Sequence, residues 1–185
     1  MFVDETGTNT KMVRLYGRAP KGQRVIGKQP WGHWKTTTFV AGLRIGELSA
    51  PFLLDGAMNR EAFETYVEKV LAPTLSDGDV VIMDNLAAHK GSKVRQLIER
   101  AGARLLLLPP YSPDLNPIER LFAKFKALLR KAAERTIPAL WQRIGLSQML
   151  HTSGMRELFP KRSICINLTG KCSRSSKLKV DINTL

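Results

Sequence analysis

Three acidic side chains stand where carboxylates could perform metal-assisted chemistry. Asp4 follows a short apolar pair at the start of the chain, and Asp84 follows the apolar run 80–83. Glu119 lies at the start of a long amphipathic segment. Two acids that follow strands and one helix glutamate could converge on divalent cations, for which carboxylate oxygens are suitable ligands. Such a set would suit phosphodiester cleavage, in which cations activate a nucleophile and stabilise the leaving oxygen.

Each acid also has an interpretation that needs no chemistry. Asp4 could be a structural acid at a strand end, and Asp84 could form an Asx turn after its strand. Asn116 as an N-cap with Glu119 three positions later reproduces a capping box, so Glu119 could serve only the helix terminus. Taken together, the three acids, with their order and spacing, favour metal ligation.

The segments around these acids resemble the catalytic domain of the DDE transposases, and more narrowly the bacterial insertion-sequence branch of the Tc/mariner superfamily. The segments are Val3-Asp4-Glu5-Thr6-Gly7, Met83-Asp84-Asn85 and Tyr111-Ser112-Pro113-Asp114-Leu115-Asn116-Pro117-Ile118-Glu119. Thirty-four residues, 85–118, lie between the second and third acids, a separation typical of that family. The resemblance covers residues 2–145. It implies that Asp4, Asp84 and Glu119 are the catalytic residues and the metal ligands.

The same resemblance implies an α/β, ribonuclease H-like fold and a transposase that cuts and joins DNA. The implied cofactor is Mg²⁺, with Mn²⁺ as a substitute, bound as two ions. The implied partners are transposon ends, target DNA at a TA dinucleotide, and a second copy in a homodimer. Because the first strand starts at residue 2, we expect the family's helix-turn-helix module to come from a separate polypeptide. The alternatives are an inactive remnant that only binds DNA and a stand-alone ribonuclease H-like nuclease.

Charge independently indicates a polyanionic partner, since the net charge is +13. Residues 7–35 contain no acid and seven bases, namely Lys11, Arg14, Arg18, Lys21, Arg24, Lys28 and Lys35. We expect Arg14, Arg18, Lys21 and Arg24 to contact DNA, together with Arg120 and Lys124 on the last helix. A solvated loop, or a loop that clamps a partner subunit, remains the alternative.

Composition excludes other classes. No apolar run is long enough to span a bilayer, and the N-terminus lacks the pattern of a signal peptide. Two cysteines, Cys165 and Cys172, predict neither a disulfide framework nor a zinc site. The sequence contains no glycine-rich phosphate-binding loop, so we expect no requirement for ATP. We therefore expect a bacterial cytoplasmic protein associated with the nucleoid, with no membrane partner.

Local patterns predict the elements that must position the three acids. Strands are expected over 2–4, 79–83 and 104–108, a hairpin over 36–45 and 48–54, and an extended hairpin or loop over 7–35. Helices are expected from Asn59 to Pro73, from Ser92 to Gly102 and from Pro117 to Arg135. On the last helix, the predicted sheet-facing residues are Ile118, Leu121, Phe122, Phe125, Leu128, Leu129 and Ala132. This order predicts a mixed sheet flanked by helices.

Several further residues keep two interpretations. His89 could assist at the site or be a helix-entry histidine without a catalytic task. Asp114 is expected to be a turn or capping acid and not a fourth ligand. Trp31 and Trp34 could pack a small local core, or contact DNA or a partner subunit.

The chain divides into a catalytic domain, 1–145, and an atypical tail, 146–185. Serine, cysteine and basic residues accumulate in the tail, and amphipathic patterning is lost. A change of reading frame near Gly145 would produce this pattern and leave the tail poorly ordered. A genuine but divergent extension is the alternative.

Overall fold

A computed structural model describes residues 1–86, 89–110 and 112–150, with the backbone alone for 146–150. Five strands form within these ranges: β1 (Phe2–Asn9), β2 (Thr36–Arg44), β3 (Glu47–Asp55), β4 (Val80–Met83) and β5 (Arg104–Leu107). Four α-helices accompany them: α1 (Arg60–Tyr66), α2 (Ser92–Arg100), α3 (Pro117–Ala132) and α4 (Ile137–Leu150).

The strands form one mixed sheet in the order β3-β2-β1-β4-β5. The first three strands along the chain pair antiparallel, whereas β1-β4 and β4-β5 pair parallel. A tight turn at Gly46, where φ is 85°, joins β2 to β3, as the predicted hairpin requires. The predicted mixed sheet flanked by helices is confirmed.

Helices cover both faces of the sheet, so the chain has two apolar cores. Val3, Phe63 and Ile98 belong to the core beneath α1 and α2. Phe39 and Phe122 belong to the core beneath α3 and α4. Successive side chains of a strand point to opposite faces, and this alternation separates the neighbours Asp4 and Glu5. Asp4 contacts Asn116 at the start of α3, and Glu5 contacts His89 on the other face.

The start of α2 differs from its prediction, whereas the start of α1 and the end of α2 agree with theirs. Asn59 caps α1 as predicted, since its side-chain oxygen accepts from the Ala62 N–H at 2.8 Å. Helical turns then continue through Val67–Leu71 and Ala72–Thr74. The predicted Ser92 cap is wrong, because Gly91 is the N-cap of α2 and makes no side-chain bond. Gly102, with φ at 78°, follows the end of α2 as predicted.

The first strand and the last predicted helix also needed correction. β1 extends to Asn9, because residues 5–9 pair with the distant strand β2. α3 ends at Ala132 and not at Arg135, since Ala133 adopts a left-handed conformation with φ at 54°. Leu128 is 39% exposed and therefore does not pack on the sheet as predicted.

The basic segment, residues 10–35, runs over the surface between β1 and β2. Residues 10–35 form turns and irregular structure without a helix or strand, and residues 7–9 of the predicted loop belong to β1. α4 continues across the predicted domain boundary at residue 145. The described residues therefore do not test that boundary, which stays a prediction. The predictions for the tail after 150 lie outside the described residues. No helix among the described ranges is long and apolar enough to cross a membrane.

Candidate active site

The predicted acids line one cleft of about 470 Å³. The parallel register pairs Val3 of β1 with Met83 of β4, so Asp4 and Asp84 are the next residues after this pair and lie side by side. Glu119 reaches the same cleft from the first turn of α3. The remaining lining residues are Asn85, Leu86, Lys90, Leu108, Pro109, Pro110, Ser112, Pro113 and Asn116. The fold thus brings an acid from β1, an acid after β4 and an acid from α3 to one opening.

Asp4 is held in place by two hydrogen bonds. Its Oδ1 accepts from the backbone N–H of Glu5 at 2.8 Å, and its Oδ2 accepts from Nδ2 of Asn116 at 2.9 Å. The pKa of Asp4 is raised to about 7, chiefly by burial and also by the negative charges of Glu119, Asp84 and Glu5, while the hydrogen bond from the Glu5 N–H opposes the rise. The pKa near neutrality therefore reflects a buried carboxyl with three further negative charges nearby.

Asn116 contradicts the capping-box interpretation of Glu119. It occupies the N-cap position of α3, but its side chain makes no capping bond. The amide instead donates to Asp4, and its Oδ1 is buried without a hydrogen-bond partner among the described residues. The predicted capping box is therefore absent, and Asn116 is a site residue that the sequence pattern concealed.

Asp84 is partly exposed and meets a buried histidine. Its Oδ1 accepts from the Leu86 N–H at 3.3 Å, so the predicted Asx-type contact is present. His89 Nδ1 lies 2.5 Å from the same oxygen, close enough for an ion pair although not aligned as a hydrogen bond. His89 Nε2 lies 2.9 Å from Oε2 of Glu5, and the ring packs on Phe63 at 4.2 Å between centroids.

The surroundings of His89 act on its charge in opposite directions. Burial lowers the pKa of His89, whereas its contacts with Asp84 and Glu5 raise it, and the net result is a pKa of about 9. The imidazole is therefore protonated at neutral pH and carries a positive charge between two carboxylates. The sequence could not indicate the contact of Glu5 with His89, because the two residues lie 84 positions apart and no local pattern predicts such a contact.

The residues fit a hard divalent cation, although they do not form a closed cage. Within the described ranges, no three His, Cys, Asp or Glu side chains lie close enough together to hold a metal ion. The cleft nevertheless offers carboxylate oxygens from three elements and no sulfur or imidazole ligand, which is the donor set of Mg²⁺-type ions. Glu119 is exposed, so rotation of its side chain can change its distance from the other two acids.

The predicted DNA-contacting residues all lie at the surface. Arg14, Arg18, Lys21 and Arg24 are exposed in the segment 10–35, and Arg120 and Lys124 are exposed on α3. Lys90, which the sequence analysis did not single out, lines the acidic cleft. Asp114 is exposed in the short turn Pro113–Leu115 and does not line the cleft.

The two tryptophans of the basic segment do not form a local core. Trp31 is 102% exposed. Trp34 stacks under the ammonium of Lys11, 3.7 Å from the ring centroid. Arg135 anchors the start of this segment to the region after α3 through the carbonyl oxygens of Thr10 and Met12, at 2.9 and 3.3 Å.

Comparison with solved structures shows the same fold in mariner transposases. The chain superposes on the pre-cleavage Mos1 transpososome with a TM-score of 0.64 and 16% identity, covering 85% of this chain and 52% of that one. The Mos1 paired-end complex with Mn gives 0.64 and 18%, with coverage of 85% and 52%. The isolated catalytic domain of Mos1 mariner transposase gives 0.56 and 15%, with coverage of 85% and 76%.

The chain spans about half the length of the Mos1 chains in those complexes. At these identities the likeness establishes a ribonuclease H-like fold. A search of curated proteins found no significant match. The family model for the DDE superfamily endonuclease matches residues 1–140, which confirms the predicted DDE domain. This chain belongs to the DDE superfamily of endonucleases.

Proposed function

We propose that this chain is the catalytic domain of a cut-and-paste DNA transposase, with Asp4, Asp84 and Glu119 as its catalytic residues. The observation that carries the proposal is the single cleft that all three acids line. Membership of the DDE endonuclease superfamily supports phosphodiester cleavage as the reaction. Strand transfer of the cleaved end into target DNA at a TA dinucleotide completes the proposed activity.

Mg²⁺, with Mn²⁺ as a substitute, is the proposed cofactor, held as two ions by Asp4, Asp84 and Glu119. When bound, these cations would activate water or a DNA 3′-hydroxyl and stabilise the leaving oxygen. The raised pKa of Asp4 supports this choice, because a cation would relieve the repulsion among the acids. Crystal structures of Mos1 paired-end complexes with Mn and with Mg support it as well.

The protein's own residues prepare the cleft for this chemistry. Asn116 and the Glu5 N–H fix both oxygens of Asp4, so this carboxylate loses little conformational freedom on binding a cation. Asp4 must lose its proton to become a ligand, which its pKa of about 7 permits near neutral pH. Lys90 adds a positive charge to the cleft lining and is suited to contact a DNA phosphate.

DNA is the proposed substrate, and its phosphates would be contacted by two sets of bases. Arg14, Arg18, Lys21 and Arg24 form the first set, in the exposed segment 10–35. Arg120 and Lys124 form the second, on the exposed side of α3 next to Glu119. Phosphate contacts of this kind give affinity without reading sequence.

End recognition and assembly are proposed to need further polypeptides. A separate helix-turn-helix polypeptide is proposed to read the transposon ends. A second copy of this chain would form a homodimer. Exposed apolar side chains in the segment 10–35, such as Tyr16 at 91% and Ile26 at 86%, support a protein contact there.

The test is metal-dependent cleavage and joining of DNA by the purified chain. Supercoiled plasmid incubated with Mg²⁺ or Mn²⁺ should yield nicked and linear products, and EDTA should prevent their formation. A pre-cut oligonucleotide end should then join to plasmid DNA. DNA binding without cleavage in either metal would indicate an inactive remnant, and cleavage without joining would indicate a stand-alone nuclease.

A further inference from the structure

We infer that Glu5 and His89 form a positioning pair that orients the carboxylate of Asp84 for cation binding. The inference rests on the proposed function, since it assigns Asp84 as a ligand. Glu5 and His89 are positioning residues because their contacts run to Asp84 and to each other, and neither lines the cleft.

Asp84 needs such support because it lies beyond the end of its strand. β4 ends at Met83, and the backbone at Asp84 is irregular. Among the described residues, its carboxylate accepts one backbone hydrogen bond, from the Leu86 N–H at 3.3 Å. The Nδ1 atom of His89, at 2.5 Å, is much closer to the same oxygen. His89 is therefore the group best placed to restrict where this carboxylate points.

His89 can act as a fixed reference because it is itself immobilised. Its side chain is fully buried, and the ring packs against Phe63 with 4.2 Å between centroids. On the far side of the ring, Nε2 contacts Oε2 of Glu5 at 2.9 Å. One nitrogen is thus anchored to β1 while the other faces Asp84. A partner that fixes the far nitrogen of a histidine also fixes the direction of the near one.

The two neighbouring acids of β1 therefore have different tasks. Asp4 points to the α3 side and lines the cleft, whereas Glu5 points to the opposite face and does not line it. The side chain of Glu5 is only 18% exposed, and its position beside His89 avoids adding a fourth carboxylate to the cleft. Asp4 and Asp84 thus each meet one buried polar side chain, Asn116 for Asp4 and His89 for Asp84.

A packing role alone would not explain these contacts. An apolar residue could fill the space over Phe63 without the cost of burying two ring nitrogens. Both nitrogens instead face carboxylates, one of which lines the cleft. Two amide variants of His89 distinguish a positioning role from a packing role. His89→Asn keeps an N–H donor near the position of Nδ1, whereas His89→Gln keeps one near the position of Nε2.

The experiment measures Mn²⁺ binding to the full chain without DNA, by electron paramagnetic resonance, for His89→Asn, His89→Gln and His89→Ala. His89→Asn should bind Mn²⁺ less than about tenfold more weakly than the parent, because an N–H near the position of Nδ1 remains while the contact with Glu5 is lost. His89→Gln and His89→Ala should bind Mn²⁺ about 10–100-fold more weakly, as expected for lost outer-shell support. Nicking of plasmid DNA should follow the same order. A packing role predicts the reverse order for the two amides, since glutamine fills more of the space.

Glu5→Gln provides a second variant that keeps the side-chain shape and removes the charge facing His89. It should weaken Mn²⁺ binding about tenfold. If His89→Gln binds as well as His89→Asn, if His89→Ala binds like the parent, or if Glu5→Gln leaves affinity unchanged, the inference is overturned. Glu5→Gln decides alone should the His89 variants fail to fold. Asp84→Asn, measured in parallel, distinguishes failure of this inference from failure of the proposed function. Unchanged Mn²⁺ binding by Asp84→Asn would contradict the proposed function itself.

Discussion

The side-chain amide of Asn116 donates to Asp4 at 2.9 Å across 112 positions of sequence, although Asn116 occupies the N-cap of α3. The helix begins without the side-chain bond that an asparagine at this position commonly supplies. The bond instead connects the first turn of α3, which carries Glu119, to the acid of β1. Two of the proposed ligands are thereby held in one arrangement.

Asn116→Ala should reduce cleavage about tenfold or more, because Oδ2 of Asp4 loses its donor and the carboxylate becomes free to turn. The matched control is Asn59→Ala, since Asn59 is also an N-cap and does bond its helix, at 2.8 Å to the Ala62 N–H. That control should lower the free energy of unfolding by about 1 kcal/mol and leave cleavage intact. Plasmid nicking and urea denaturation measure both effects, and equal nicking by the two variants would refute the role of Asn116.

Asp4 should make the metal-free protein less stable as the pH rises. Its pKa is raised from 3.8 to about 7, so the folded state binds the proton more tightly than the unfolded state. The stabilisation is fully present below pH 4 and is lost as the pH passes through 7. At about 1.4 kcal/mol per pKa unit, the loss is on the order of 4 kcal/mol.

Asp4→Asn should therefore be more stable than the parent at pH 8 in EDTA, and this advantage should shrink towards pH 4. Urea denaturation at several pH values provides the measurement. Mn²⁺ should stabilise the parent at pH 8 and have little effect on Asp4→Asn. A stability difference between the two proteins that does not change from pH 4 to pH 8 would show that the pKa of Asp4 is not raised in the folded state.

Neutralising Arg14, Arg18, Lys21 and Arg24 to glutamine should weaken DNA binding on every sequence. The slope of log K against log salt is negative, and each lost phosphate contact makes it less steep by about 0.9. The matched control neutralises Lys69 in the helical turn Val67–Leu71 and Lys93 and Arg95 on α2, which all pair with acids, together with Arg100 at the end of α2. Fluorescence anisotropy over a salt series compares the two sets. Equal slopes in both would move the segment 10–35 to a role in subunit contacts.

Ala133→Gly should stabilise the protein by about 1 kcal/mol, because Ala133 has φ at 54° and ψ at 41°, a conformation that costs an L-residue about 1–2 kcal/mol. Ala132→Gly, one position earlier and inside α3, should lower stability by about 1 kcal/mol. Thermal unfolding of the two variants should give shifts of opposite sign, with DNA cleavage unchanged. Shifts of the same sign would contradict the helix end described here.

Local patterns were sufficient for elements whose signals lie within a few residues. The hairpin of β2 and β3, the Asn59 cap and the Gly102 stop all follow from turn and capping chemistry. They were insufficient where a distant partner decides. β1 continues to Asn9 because Thr36–Phe39 pair with its second half, and residues 5–9 have no apolar alternation that would predict a strand.

The site shows the same division. The types and spacing of Asp4, Asp84 and Glu119 predicted a shared site, and all three line one cleft. The supporting residues could not be found in this way. Asn116 has the local pattern of a helix cap, and the contact of Glu5 with His89 joins β1 to the segment after β4, 84 positions later in the sequence. Such contacts depend on strand order and side-chain direction, which a single sequence does not display.

The most direct test of the account compares plasmid cleavage in Mg²⁺ by Asp4→Asn, Asp84→Asn and Glu119→Gln with cleavage by Asp114→Asn. Asp114 is an exposed acid in the segment that leads to Glu119, but it does not line the cleft. Each of the three cleft variants should lose at least about 100-fold in the cleavage rate, the usual scale for removing a group that stabilises developing charge. Asp114→Asn should cleave like the parent. If the three cleft variants instead cleave as fast as Asp114→Asn, the three acids are not the catalytic residues.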